Sequence, residues 1–295
     1  MAAVLLAALL VGAAGCDTVE PAKAPRLVVE GFLDAGEPLP TVTLRHSRAL
    51  QRPYPRNDSA VAATGATMTL TVDGERVPYE SVPGQPSRYA PSAHNREQQR
   101  VPPRSSFRLR AEWRGRTARA GGRIPPTVAI DSSRVRVPPE PVEAVLLDSL
   151  RLDTLNTDAR QGYIYPVEVT LWWKAASGTD STLWVRPHLR PSASFSEDAV
   201  DFFLRSEDIR RERTVTLTAN GYRRWTGVYA VPVEDRTASF PAHRLRVAVL
   251  RSYGSYARLA ATRESPRTRE PVSNVEGALG VAAGISVDSA YVSVR

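Results

Sequence analysis

The chain has 295 residues, 42% of them hydrophobic and 24% charged, with a formal net charge of +8. That apolar fraction excludes wholesale disorder. With 24 prolines against 18 glycines and no fixed period, a collagen-like chain is excluded and an all-helical one disfavoured, while about 100–200 residues per domain suits two domains.

The N-terminus gives the compartment. Residues 2–14 are an unbroken run of Ala, Val, Leu and Gly. The run is shorter than the roughly 20 residues a membrane span needs, and it has the length of a signal-peptide core, about 7–15 residues. Ala13, Ala14 and Gly15 then precede Cys16, the only cysteine, so no intrachain disulfide can form. Small residues before a lone cysteine resemble a bacterial lipobox. In that class the cysteine sulfur takes a diacylglyceryl group and the new amino terminus is acylated, and two or more chains anchor stably. The alternative is a buried N-terminal helix with an incidental thiol. No Lys or Arg precedes the run, although signal peptides begin positive, so the expectation is a true start upstream of Met1. Residues 1–15 then read as signal peptide and 16–25 as a tether, with the protein lipid-anchored at the outer membrane. Export removes nucleic acid from the expected partners. The positive charge is nearly all arginine, the only lysines being Lys23 and Lys174, and arginine favours bidentate carboxylate or phosphate partners.

From residue 26 the hydrophobic period is two. Residues 26–33 (RLVVEGFL), 41–45 (TVTLR) and 66–73 (ATMTLTVD) read as strands. Asp73-Gly74 supplies a hairpin turn into 76–79. In 106–113 (SFRLRAEW), Phe107, Leu109, Ala111 and Trp113 point one way, and Arg108, Arg110 and Glu112 the other. Arg114-Gly115 turns the chain into 116–120. Short strands between turn signals predict an immunoglobulin-like β-sandwich over 26–130. Alternation puts several of the cluster Arg104, Arg108, Arg110, Arg114, Arg116, Arg119 and Arg123 on one face, with Arg108, Arg110 and Arg114 as candidates for contact with anionic headgroups or phosphorylated glycolipid; the alternative is an ordinary solvated face.

Two proline clusters, 124–126 (IPP) and Pro138, Pro139 and Pro141, put a domain boundary near Asp131, with a C-terminal β-rich domain over 131–295. Its predicted strands are 142–152, 163–174, 182–189, 215–218, 225–231, 244–251 and 286–294. Two short helices are expected. Residues 206–213 (SEDIRRER) have Ser206 as N-cap and a Glu207–Arg211 pair; residues 253–263 form the second. The fold class is all-β. Trp172, Trp184 and Trp225, with Tyr163, Tyr165 and Tyr222 nearby in sequence, are candidate ligand-stacking residues. Trp172 leads, because it alternates with Glu168, Thr170 and Lys174; inter-sheet packing is the alternative.

No catalytic motif stands out. The four histidines, His46, His94, His188 and His243, include no i,i+4 pair, and without further cysteines a structural zinc site is not expected. The sequence lacks GxSxG, GxxxxGK[ST] and GxGxxG. The acid pairs Glu197-Asp198 and Glu207-Asp208 lie in polar stretches. No catalytic residue, metal or cofactor is expected.

The lipobox cysteine and tether, then LVVEGFL and TVTLRHSRAL, resemble the opening of the domain-of-unknown-function 4249 lipoproteins of Bacteroidota. So do 65–73 (GATMTLTVD), the proline-marked junction 124–131 (IPPTVAID), and the closing segments 250–259 (LRSYGSYARL) and 271–280 (PVSNVEGALG). Val281-Ala282-Ala283 replaces a frequent aromatic, and 264–271 (ESPRTREP) departs from the family's Asn-Pro-Phe element. The resemblance implies an outer-membrane lipoprotein encoded beside TonB-dependent transporters, with a transporter barrel as partner. It carries over no catalytic residue. Asn274 reads as structural, pinning the final turn. The expectation is a non-catalytic accessory or binding protein; the alternatives are an extracytoplasmic hydrolase of glycan or peptide, and a purely structural envelope lipoprotein.

Overall fold

The computed structural model describes residues 25–47, 58–92, 99–147, 159–176, 182–192, 209–263 and 272–295. The protein is all-β and sandwich-like, with two sheets and one helix among the described residues. The chain lays down β1 (Leu27–Asp34), β2 (Val42–His46), β3 (Thr67–Val72), β4 (Glu75–Val82), β5 (Gln85–Pro91), β6 (Ser106–Trp113) and β7 (Arg116–Arg123). These pair in the order β1-β2-β5-β4-β3-β6-β7. Alternation makes the strands: in β6 every second residue from Phe107 to Trp113 is buried and the others are exposed. Both hairpin turns foreseen are present. Asp73-Gly74 and Arg114-Gly115 hold positive φ at both central residues, the twist that joins antiparallel strands best. Leu44, Leu70, Phe107 and Leu109 centre the first core. Tyr89 serves it twice, donating its hydroxyl to Ala63 O at 2.6 Å and accepting from Ala66 N at 3.1 Å.

The second half continues with β8 (Ile130–Arg136), β9 (Val142–Leu147), β10 (Ala159–Lys174), β11 (Trp184–Pro191), β12 (Arg210–Arg211), β13 (Thr216–Leu217), β14 (Tyr222–Val233) and β15 (His243–Ser252). Helix α1 (Gly254–Arg263), β16 (Val275–Glu276) and β17 (Leu279–Val294) follow. β8, β10, β13 and β14 form the smaller sheet, with β9 on β10. β8 and β9 lie in tandem along one edge of β10, at 168–173 and 159–164. The prolines between them have no N–H to offer a ladder, so the edge strand is interrupted there. The second core fills the space between β10 and β14 on one side and β11, β15 and β17 on the other, around Trp173, Val169, Val247 and Val249.

The helix at 253–263 is found, beginning at Gly254. The helix predicted over 206–213 is not. Residues 206–208 lie outside the described residues, Arg210–Arg211 pairs with Trp184 and Val185 of β11, and Glu212–Thr214 is a single 3-10 turn. Interior bonding of the Glu212 carboxylate overrides the local helix signal.

β17 binds the two halves together. Its first part pairs in parallel with β1, Val28 to Leu279 through Asp34 to Ile285, and its second pairs antiparallel with β15. The turn before it is confined to Gly277, where φ is 73°, and Leu279 already begins the strand. Along one face of β17, Ala282 joins the first core while Val292 and Val294 belong to the second. Between them stand Gly284, Ser286 and Asp288. The segment leaving β7 crosses here: Val128 N donates to Ser286 Oγ at 2.9 Å and Ile130 N to Asp288 Oδ2 at 2.7 Å. A Cβ at Gly284 would run into the Arg123 carbonyl oxygen, and one at Gly280, where φ is +105°, into that of Val29. Asn274 holds the entry to β17 by exchanging two bonds with the Ala282 backbone, at 2.6 and 2.9 Å. With Val275 and Ala278 it brings this end of the chain into the first core.

The crossing is closed by Arg251. Its side chain is 1% exposed and forms a fork on Glu212, Nε to Oε2 at 3.0 Å and Nη2 to Oε1 at 2.5 Å. The same guanidinium donates to Thr127 O at 2.7 Å and Lys174 O at 3.1 Å. Trp173 Nε1 donates to Glu212 Oε1 at 3.1 Å. Removing one partner of such a pair leaves a buried charge uncompensated, so Glu212→Leu is expected to cost about 3–5 kcal/mol in denaturant unfolding. Adding Arg251→Met should not restore stability, because the Thr127 and Lys174 carbonyls would lose their donor.

Asp34 clips β1 to β17 by accepting Val287 N at 3.0 Å. Burial raises its carboxyl above the ordinary value, opposed by that N–H and aided by the charge of Glu37. The folded state thus favours the protonated form. The group's contribution is full below its unfolded pKa and is lost as pH rises through the folded one. Asp34→Asn should therefore be more stable than the parent at neutral pH, with the difference vanishing in acid, measured by denaturation midpoints across pH.

Candidate functional site

The outward face of β4, β3, β6 and β7 carries an ordered charge pattern. Strand register places Arg76, Thr71, Arg108 and Gly121 in one row across four strands. The next row is Pro78, Thr69, Arg110 and Arg119, with Glu276 of β16 beyond. A further row holds Thr67, Glu112 and Thr117. Arg76 and Arg108 stand at one end of the face, Glu112 at the other, and Glu276 beside Arg119. Arg76, Arg108, Arg110 and Arg119 are all exposed.

The three arginines singled out from the sequence have different fates. Arg108 sits in the row as alternation requires, its stem 3.8 Å from where a Cβ on Gly121 would lie. Arg110 is on the same face but is already bound to Glu112, with Nε to Oε1 at 2.9 Å and Nη2 to Oε1 at 2.5 Å. Arg114 leaves the face. It occupies the β6–β7 turn at φ 46° and lies 4.7 Å over the ring of Trp113, whose side chain belongs to the core side. Two further members, Arg76 and Arg119, complete the group. Arg76 escapes sequence reasoning because only the β3–β4 register shows that it lies opposite Thr71. Neither Arg76, Arg108 nor Arg119 makes an ion pair with another described residue. Arg110 and Arg119 face each other directly, a like-charge cross-strand arrangement that is unfavourable by itself.

The three tryptophans do not share a surface. Trp225 is buried in the second core, in register with Leu171. Trp184 is on the other sheet, half-buried, with the Arg211 guanidinium 4.3 Å over its ring and Gly254 of α1 beside it. Trp172 points outward as its alternation indicates, half-buried between Ser132 of β8 and Arg224 of β14. Inter-sheet packing accounts for Trp225, and Trp173, beside Trp172 in sequence, is the larger buried anchor. Of the named tyrosines, Tyr165 is buried with its hydroxyl on Ala238 O at 2.8 Å.

His243, half-buried, meets Tyr229 at 2.6 Å through Nε2 and Pro241 O at 2.8 Å through Nδ1, and it packs on Phe240. Burial raises the Tyr229 hydroxyl pKa far above its ordinary value. His46 stacks on Trp113 with centroids 5.4 Å apart. These are packing roles. Cys16 and His94 lie outside the described residues.

Two shallow clefts flank Leu39. One, of about 180 Å³, is lined by Val72, Glu75 and Arg100; the other, of about 190 Å³, by Thr41, Gln85 and Arg88. Both are smaller than the usual small-molecule site of about 300–1,000 Å³. No group of three or more His, Cys, Asp or Glu among the described residues is placed to hold a metal ion.

Fold and surface together define an all-β protein with two cores and one strand shared between them. The chain belongs to the family described as Domain of unknown function (DUF4249), whose model matches residues 17–290. No curated protein and no solved structure matches it.

The tryptophan positions predict unequal costs. Trp225→Ala should destabilise by about 3–5 kcal/mol in denaturant unfolding, as core aromatic truncations do. Trp172→Ala should cost no more than about 1 kcal/mol.

Proposed function

We propose that this protein is a lipid-anchored, non-catalytic binding protein of the bacterial outer membrane, acting as an accessory to a TonB-dependent uptake system. The observation that carries the reading is the position of Cys16. The sequence's only cysteine follows an apolar run and three small residues, and the first strand begins at Leu27. A ten-residue leash, fully extended, reaches at most about 35 Å, so the folded body is held against the surface in which its acyl chains sit. The Arg76–Arg108–Arg119 face supports a binding role, since rows of exposed side chains across neighbouring strands suit a broad partner better than a small substrate.

Metabolic labelling with a palmitate analogue tests the anchor: the parent chain should be labelled and Cys16→Ala should not. Purification in gentle detergent from native outer membranes tests the partner. A transporter barrel in roughly stoichiometric amount is expected. A labelled protein that emerges alone would overturn the accessory role in favour of a structural or hydrolytic lipoprotein.

A further inference from the structure

We infer that the outward face of β4–β3–β6–β7 is a docking surface for the phosphate groups of a phosphorylated glycolipid headgroup layer, centred on Arg76, Thr71, Arg108 and Arg119. The setting rests on the membrane placement proposed above; the binding itself rests on the face.

The chemistry of the row points to phosphate. Arg76 and Arg108 flank Thr71 in register, one strand to either side. Neighbouring strands are about 4.8 Å apart, so the two arginine backbones stand about 10 Å from each other with a hydroxyl-bearing residue between them. Two planar guanidinium forks and a hydroxyl offer donors of the kind phosphate oxygens accept. Gly121 continues the row with no side chain, and the Arg108 stem lies 3.8 Å from where a Cβ there would be. Arg119 adds a third cation on the adjoining row. All three arginines are exposed, and none pairs with a described carboxylate.

The geometry favours a surface over a soluble anion. The residues are spread over four neighbouring strands, so several phosphates of one layer can be met together. Glu112, on the next row, is paired to Arg110, and Glu276 lies in register beyond Arg119. Arg76 and Arg108 are left as the cations that meet an anionic layer first. β1, which follows the leash, belongs to the same continuous sheet as this face.

The test uses residues 17–295, which contain every described element and lack Cys16, so no acyl chain contributes. Sedimentation measures binding to phosphatidylcholine vesicles, alone and doped with lipid A or with enzymatically dephosphorylated lipid A. Binding is expected only with the phosphorylated glycolipid. Arg76→Gln combined with Arg108→Gln should weaken it by about thirtyfold, as expected for two surface cations near a charged layer. Arg119→Gln provides a second, single-site check. Arg190→Gln with Arg246→Gln removes the same charge from β11 and β15 and should leave binding within a few-fold. Unaltered melting temperatures would show that the variants fold, since all these positions are exposed. The inference is overturned by no binding to lipid A vesicles, by equal binding to the dephosphorylated glycolipid, or by equal loss in both double variants, which would mean net charge alone. A palmitate-labelled protein that fails here would leave the anchor standing and remove only this face.

Discussion

One guanidinium sits where four parts of the chain meet. Arg251 bonds the carboxylate of Glu212, the carbonyl of Thr127 in the segment crossing between the cores, and the carbonyl of Lys174 at the end of β10. A lysine could supply the charge but not the planar fork needed to bond both carboxylate oxygens while serving two carbonyls. Because the group is buried, each donor left unmatched would carry a desolvation penalty, and so would each acceptor. The positions of β10, β15, the 3-10 turn and the crossing are therefore mutually dependent, more so than apolar packing alone would make them.

β17 imposes the second constraint. Its face toward the cores changes character along its length, from alanine at 282, through Gly284, Ser286 and Asp288 beneath the crossing, to valine at 292 and 294. Small and hydrogen-bonding side chains occur where another backbone approaches, and branched ones return where a core must be filled. The outward arginine face is a product of the same logic on the opposite side. Once Phe107, Leu109 and Ala111 turn inward, Arg108 and Arg110 have nowhere else to go.

Much of this was legible in the sequence. Strict alternation marks β6, and Asp73-Gly74 and Arg114-Gly115 mark their turns, because these signals are local. Pro86 and Pro91 disguise β5, and β8 lies between the two proline clusters, where local sequence signals a boundary and not a strand. The helix expected over 206–213 failed because the partners of Glu212 are Trp173 and Arg251, each 39 residues away. Composition gave the arginine cluster, but only register separates Arg108 from the turn residue Arg114 and brings in Arg76. Adjacent tryptophans show the same limit. Trp172 and Trp173 differ by one position, so the pleat alone sends one outward and the other into the core.

The parallel pairing of β1 with β17 joins Val28 to Leu279 and Asp34 to Ile285 across most of the chain. Such a closure is entropically expensive and slow to find. It also has an order in time. A polypeptide that appears from its N-terminus, whether from a ribosome or a translocation pore, has β1 long before β17. Until β17 arrives, β1 lacks one neighbour, the crossing segment lacks the acceptors of Ser286 and Asp288, and neither core is closed. The emerging chain is thereby kept from completing its fold early, and both cores close together once the last strand is in place.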